Sequence, residues 1–229
     1  MGSEMCIRDR RASVRSSMKS KRKTASELVA ELQANPEYVQ RSLRQQQESA
    51  QSNAAFQAAA RPVIEAINKT SVLTLNSAYA IGDAAARYPQ IADILVEHLQ
   101  RAYPESVTKT IAHALAIPQA RRFWETLLRL FMNHPDGPVP NRTKFGIGCA
   151  LAASADASVL ADVLSIMRDP RHGANRGVFL KFLAESPSPR AQAAFEEAGH
   201  DPEFAKEVRF LKRIRQRKWR RGSDRTRQP

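Results

Sequence analysis

Side chains able to do chemistry are scattered along this chain, and few stand at the spacing that chemistry requires. The five histidines are His98, His113, His134, His172 and His200. A helical metal site needs two ligands four residues apart or a nearby cysteine cluster, and no pair here has either. Cys149 would need an activating neighbour to serve as a thiolate nucleophile, which the sequence does not identify. The surrounding GIGCALA is not a phosphate loop, because no Lys-Ser or Lys-Thr follows at the required spacing; its small residues suit close helix approach. Glu196, Glu197, Asp201 and Glu203 form an acidic run, but carboxylates at a helix N-terminus already have a structural role there. Trp124, beside Phe123, reads as a core or inter-helix residue. The strongest charged feature is KRIRQRKWRR near the C-terminus, where Lys212, Arg213, Arg215, Arg217, Lys218, Arg220 and Arg221 surround Trp219. Such a segment suits phosphates, with the indole free to stack on a base. It equally suits a solvated helix end, where cations complement the macrodipole.

The formal charge of +13 is unevenly spread. Residues 49–204 carry 15 basic and 15 acidic side chains, whereas residues 205–229 carry 11 basic and 2 acidic. The body is neutral, so an electrostatic function belongs to the tail.

The first ten residues, MGSEMCIRDR, resemble a conceptual translation of sequencing-library adapter DNA: the transposon-end bases ATG TGT ATA AGA GAC encode Met5 to Asp9. Residues 1–17 are therefore set aside as adapter and read-through, expected to be disordered, with Met18 as the expected start. Of the two cysteines, Cys6 falls in the excluded stretch and Cys149 remains, so no internal disulfide is expected. No apolar run approaches the roughly 18 residues that span a bilayer. The expectation is a cytoplasmic protein that does not engage membranes.

The elements that must position these side chains all read as helices. Thr24-Ala25-Ser26-Glu27 is a capping-box pattern, and Asn35-Pro36 starts a second helix at once. That helix is rich in Gln, Ser and Ala; heptad positions after Leu43 fall on Gln46, Asn53 and Gln57, which argues for a solvated helix and against a coiled coil. Pro62 predicts a kink or restart near Arg61, followed by a short helix from Val63 to Asn68. Helices are then expected over 77–87, 89–102, 105–117, 119–133, 142–154, 157–168, 174–186, 189–198 and 202–219. Only Val72 to Leu75 could pass for a strand, and it is too short to build a sheet.

Leu-Ala closes a helical segment at Leu115-Ala116, Leu151-Ala152 and Leu183-Ala184, at offsets of 36 and 32 residues. Aligned on this signal, KTIAHALA, FGIGCALA and GVFLKFLA place Ile111, Ile147 and Phe179 in one column and the three leucines four residues on, on the same face. Another column holds His113, Cys149 and Lys181 and reads as polar. The first helix of each hairpin supplies the opposite wall, through Ile94, Leu95 and Leu99, then Leu127, Leu128 and Phe131, then Leu160, Val163, Leu164 and Met167. One hairpin cannot bury such faces alone, so stacking is expected.

On these residues the chain resembles the HEAT-repeat family, α-solenoids of antiparallel helix pairs. Asp169-Pro170 in a turn followed by Arg176 is similar to that family's aspartate, proline and basic residue; the other hairpins offer Lys109 and Lys144 at the basic position. The resemblance implies an inter-repeat ladder made by Lys109, Lys144, Asp169 and Arg176. It covers roughly residues 77–214 and specifies fold, not activity. Some HEAT-like proteins are DNA glycosylases, but such an enzyme needs a strongly basic concave face with aromatics and a placed carboxylate, and this body is neutral.

The expected architecture is all-α: a right-handed α-solenoid of HEAT-like hairpins over residues 71–214, preceded by partly solvated N-terminal helices over 18–70 and followed by a basic extension over 215–229. Phe204, Val208, Leu211 and Ile214 form the stripe that caps the last hairpin. The expected function is a non-enzymatic interaction or scaffold protein with a protein partner and no cofactor or metal. The runner-up is a nucleic-acid-associated protein that binds weakly through Lys212, Arg213, Arg215, Arg217, Lys218, Trp219, Arg220 and Arg221.

Overall fold

A computed structural model describes residues 23–134 and 141–225, with side chains described as far as Arg217 in the last helix. The adapter resemblance, the expected start at Met18 and most of the HPDGPVPN turn lie outside the described residues. Every described element is helical and none is a strand. No helix among them is long and apolar enough to cross a membrane. The chain divides into two compact units between Asn53 and Ala54.

The N-terminal unit holds α1 (Ala25–Ala34) and the first part of α2 (Pro36–Asn68). α1 starts where the Thr24 hydroxyl accepts from the Glu27 amide at 3.3 Å while the Glu27 carboxylate accepts from the Thr24 amide at 2.8 Å. Asn35 then accepts from the Glu37 amide at 3.0 Å, and Pro36 occupies the first helical position, where no amide is needed. No residue of α1 is buried.

The expected restart at Pro62 does not occur: α2 continues through the proline to Asn68. Its missing amide and ring clash cost about 3 kcal/mol in a helix interior. Ala60, Val63 and Ile67, on both sides of Pro62, are fully buried on the same core. Burying two such aliphatic side chains contributes about 3–6 kcal/mol, which offsets the cost. The 72–76 stretch forms no ladder. Asn68 pins it instead, donating to the Leu75 carbonyl at 3.0 Å and accepting from the Leu75 amide at 2.7 Å.

The second unit continues with α3 (Ile81–Arg87), α4 (Ala92–Leu99), α5 (Glu105–Ala114), α6 (Trp124–Asn133), α7 (Arg142–Ser154), α8 (Leu160–Arg168), α9 (Leu180–Glu185), α10 (Pro189–Ala198) and α11 (Ala205–Arg225). Short 3-10 segments lead into several of them, the longest being Pro118–Phe123 and Pro170–Phe179. α5 packs between α3 and α7, and α7 between α5 and the Pro170–Phe179 segment, which α9 continues. α4, α6 and α8 pack on α5, α7 and the Pro170–Phe179 segment respectively, and α10 and α11 close on α9. Ile111, Ile147 and Phe179, with Leu115, Leu151 and Leu183, have no exposed surface, and neither do Leu95, Leu127, Phe131 and Val163 on the facing helices.

α7 comes closest to its neighbours at two glycines. A Cβ at Gly146 would lie 3.0 Å from the Ala112 Cβ of α5, and one at Gly148 would meet Val178 at 3.1 Å and Phe131 at 3.2 Å. Polar links also join successive first helices: Arg122 to Asp93, Arg121 Nε to Asp156 at 3.2 Å, and Trp124 Nε1 to Asp162 at 2.8 Å.

Candidate functional site: an apolar groove beside a basic helix

Within the second unit, the C-terminal part of α7, the Pro170–Phe179 segment, α9 and the start of α11 enclose an open groove of about 990 Å³. Its apolar lining includes Ala152, Val178, Phe182, Phe204 and Leu211, and Lys181, Glu185, Glu203 and Glu207 carry its charge. A second lobe of about 860 Å³ shares Leu211 and adds Phe210, Ile214 and Arg215. The first half of α11 makes this geometry. Phe204 and Val208 are buried against the last hairpin while Leu211 and Ile214 are only partly covered. The large apolar side chains beside them stay in water: Phe145 is 43% and Phe210 48% exposed.

Cys149 lines the groove with its thiol, and burial pushes that thiol above its ordinary range. A thiol held protonated is a poor nucleophile, so it acts as apolar lining. Its column neighbours differ in setting. His113 on α5 is half-buried with its ring 5.9 Å from that of Phe145; burial first and Lys109 second lower its pKa. Lys181 stands at the groove rim.

The four residues expected to form a ladder occupy unlike places. Arg176 is largely buried and donates to the Met167 carbonyl at 3.1 Å; it pairs with Asp201 at 3.2 Å and Glu203 at 3.5 Å, and its guanidinium lies 4.8 Å over the Phe204 ring. It thereby fastens the turn before α11 to the Pro170–Phe179 segment. Asp169 stays in its own turn, capping the Arg171 amide at 3.0 Å and pairing with the Arg171 side chain at 2.7 Å, which holds its carboxyl down at about 2. Lys144 is fully buried on α7, where its ammonium donates to the His134 carbonyl at 3.3 Å and lies 5.1 Å over the Phe131 ring. Lys109 is half-buried on α5.

The basic segment is likewise not uniform. Lys212 pairs with Glu196 of α10, and Arg215 donates to the Ala184 carbonyl at 3.2 Å and to Gln192 Oε1 at 2.6 Å. Both are thus engaged in holding α11 to α9 and α10. Arg213 and Arg217 are exposed, and the side chains of Lys218, Trp219, Arg220 and Arg221 lie outside the described residues.

Of the histidines, His98 is buried and hydrogen-bonds through Nδ1 to the Tyr103 hydroxyl at 2.7 Å, and His172 is buried beside Phe131 with Nε2 3.6 Å from Asp169. Among the described residues no group of three His, Cys, Asp or Glu side chains is placed to hold a metal. Sequence reasoning missed the Asp93, Asp156 and Asp162 links; the repeated Ala92-Asp93-Ile94-Leu95 and Ala161-Asp162-Val163-Leu164 would have marked two of them.

These features define an all-helical protein with an apolar surface groove. No family model matches the chain, and no curated protein and no solved structure matches it.

Proposed function

We propose that the chain is a non-enzymatic, cytoplasmic scaffold, a right-handed α-solenoid of HEAT-like hairpins that holds a protein partner in the α7–α9–α11 groove. The observation that carries this reading is the groove itself, with two half-exposed phenylalanines at an apolar site, since exposed aromatics around a cleft mark interaction surfaces. The stacking of α3, α5, α7 and the Pro170–Phe179 segment supports a repeat architecture. So does the Arg176–Asp201 pair, in which Asp201-Pro202 repeats the Asp169-Pro170 pattern one turn on. The test is affinity capture from the native cells after nuclease treatment, with the native chain and with Phe145→Asp and Phe210→Asp variants of unchanged melting temperature. A partner retained by the native chain and lost by both variants is expected. Identical recovery by all three chains rejects the groove.

The second reading, weak nucleic-acid binding through the end of α11, rests on the 11 basic residues of 205–229. Four to six phosphate contacts would give a slope of log affinity against log salt of roughly −4 to −5, from about −0.9 per contact on duplex DNA. Because Arg215 is tied to Ala184 and Gln192, the informative truncation falls after Arg217. Equal binding of labelled DNA by the full and truncated chains at low salt rejects this reading.

A further inference from the structure

We propose a second interaction surface, on the solvent face of α11 and separate from the groove: a row of cations that carries a single-stranded nucleic acid, with phosphates on Lys206, Arg209, Arg213 and Arg217 and a base on Phe210. The basic residues of this helix fall into two groups. Lys212 pairs with Glu196 and Arg215 is bonded to Ala184 and Gln192, so these two fasten the helix to α9 and α10. Lys206, Arg209, Arg213 and Arg217 are all exposed. They follow one another at three, four and four residues, the spacing that keeps side chains on one face of a helix. That face is turned away from the buried Phe204 and Val208. Among the described residues none of the four has an ion-pair partner; Arg209 donates from Nε to the Ala205 carbonyl at 3.2 Å and keeps its outer nitrogens for another acceptor. Glu207, the one acid between Ala205 and Arg217, lines the groove instead.

Helix chemistry alone does not account for this row. Like charges one turn apart repel and destabilise a helix, and no acid on the same face relieves them. Lys206 is the second residue of α11 and Arg209 the fifth, near the end where the helix dipole is positive, whereas cations gain from the dipole at the opposite end. An anion laid along the row removes the repulsion. Two observations choose which anion. A helix that rests on an anionic membrane buries its apolar face in the lipid, and the apolar face of α11 is already buried on the last hairpin through Phe204 and Val208. Phe210, in contrast, is 48% exposed and stands four residues after Lys206 and three before Arg213, on the edge that the row shares with the second lobe of the groove. An aromatic ring set among cations is a platform on which a base stacks while its phosphates are held. In a duplex the base faces are covered, so the ring selects an unpaired strand.

Fluorescence anisotropy of a labelled oligothymidylate titrated with the full chain tests this. Four phosphate contacts on a single strand should give a slope of log affinity against log salt of about −3, from about −0.7 per contact. Lys206→Ala combined with Arg209→Ala and Arg213→Ala should make that slope shallower by about 2 and weaken binding at least about 30-fold near 50 mM salt. The melting temperature should hold, since all three side chains are exposed. Phe210→Ala should weaken binding about fivefold or more, yet leave unchanged the binding of an abasic chain of equal length, which has the same phosphates and no base to stack. The chain truncated after Arg217 should still bind, which separates this surface from the end of α11. Binding lost on that truncation but kept by the triple variant overturns the row and leaves the end-of-helix reading standing, whereas no binding by the full chain overturns both. An equal loss for the abasic chain in Phe210→Ala, or tighter binding to vesicles of anionic lipid than to oligothymidylate, also overturns the proposal.

Discussion

Leu151 has no exposed surface and sits on α7, against which α5, α6 and the Pro170–Phe179 segment all pack. Little room exists for collapse around a truncated side chain there, so Leu151→Ala should cost about 2–5 kcal/mol in urea unfolding. His113→Ala, at a half-buried ring beside Phe145 and Gly146, should cost less, about 1 kcal/mol. Similar small losses in both variants would place the wrong face inward. The histidines make a second prediction at this scale. His98, His113 and His134 all have lowered pKa values, burial being the largest cause, with the positive charges of Arg101, Lys109 and Lys144 adding to it. The folded chain therefore binds fewer protons than the unfolded chain below the ordinary histidine value of about 6.5. Stability is fully present above that value and falls as pH drops through and below it. The urea midpoint should decline from pH 7 to pH 5, and His98→Gln should flatten part of that decline. A midpoint that rises over this interval would contradict the assignment.

At the scale of elements, Pro62 separates propensity from packing. It is exposed, while Ala60, Val63 and Ile67 are buried and hold the helix in place. Pro62→Ala restores an amide and removes the ring clash, so it should stabilise the chain by about 1–3 kcal/mol in thermal or urea unfolding. A destabilised variant would mean that the bend made by proline is needed for the fit of Val63 and Ile67. The expected break at Arg61 follows from local chemistry and fails because burial on both sides of the proline is not visible locally. Elsewhere local chemistry suffices. The Thr24 capping box, the Asn35-Pro36 start and the proline-led start at Pro189 all act within four residues of themselves, and α3 to α10 fall inside the expected segments. Residues 118–123 and 170–179, however, form 3-10 turns, so α6 begins at Trp124 and α9 only at Leu180, later than periodicity predicts. The groove was less legible. Nothing in the sequence singles out Phe145 or Phe182, because whether a phenylalanine faces a neighbour or water depends on where α11 returns. Lys144 shows the same limit: expected at a ladder position, it is fully enclosed, with its ammonium over Phe131 and on the His134 carbonyl.

At the scale of the second unit, closure depends on α11. Phe204 and Val208 supply its apolar contact, and Arg176, Lys212 and Arg215 tie it to the preceding hairpins. Truncation after Arg217 should leave the melting temperature within about 1 °C, because all of these contacts remain. Truncation after Ile214 removes Arg215 and leaves Gln192 Oε1 and the Ala184 carbonyl without that donor, so it should lower the melting temperature by a few degrees, about 1 kcal/mol at this chain length. Equal melting of the two truncated chains would show that Arg215 contributes nothing. The joints of this unit are therefore of two mechanical kinds. Where α7 meets α5 and the Pro170–Phe179 segment, Gly146 and Gly148 leave less than a methyl group's clearance to Ala112, Val178 and the Phe131 ring, and that joint is stiff. Where α11 meets α9 and α10, Val208 packs closely on Gly199 at its start, while farther along the helix the polar side chains of Lys212 and Arg215 span the gap, and such polar links stretch and re-form. Pulled from its C-terminus, the unit should give way first at the polar links of Lys212 and Arg215, before the packing at Gly199 and before the joint at Gly146 and Gly148.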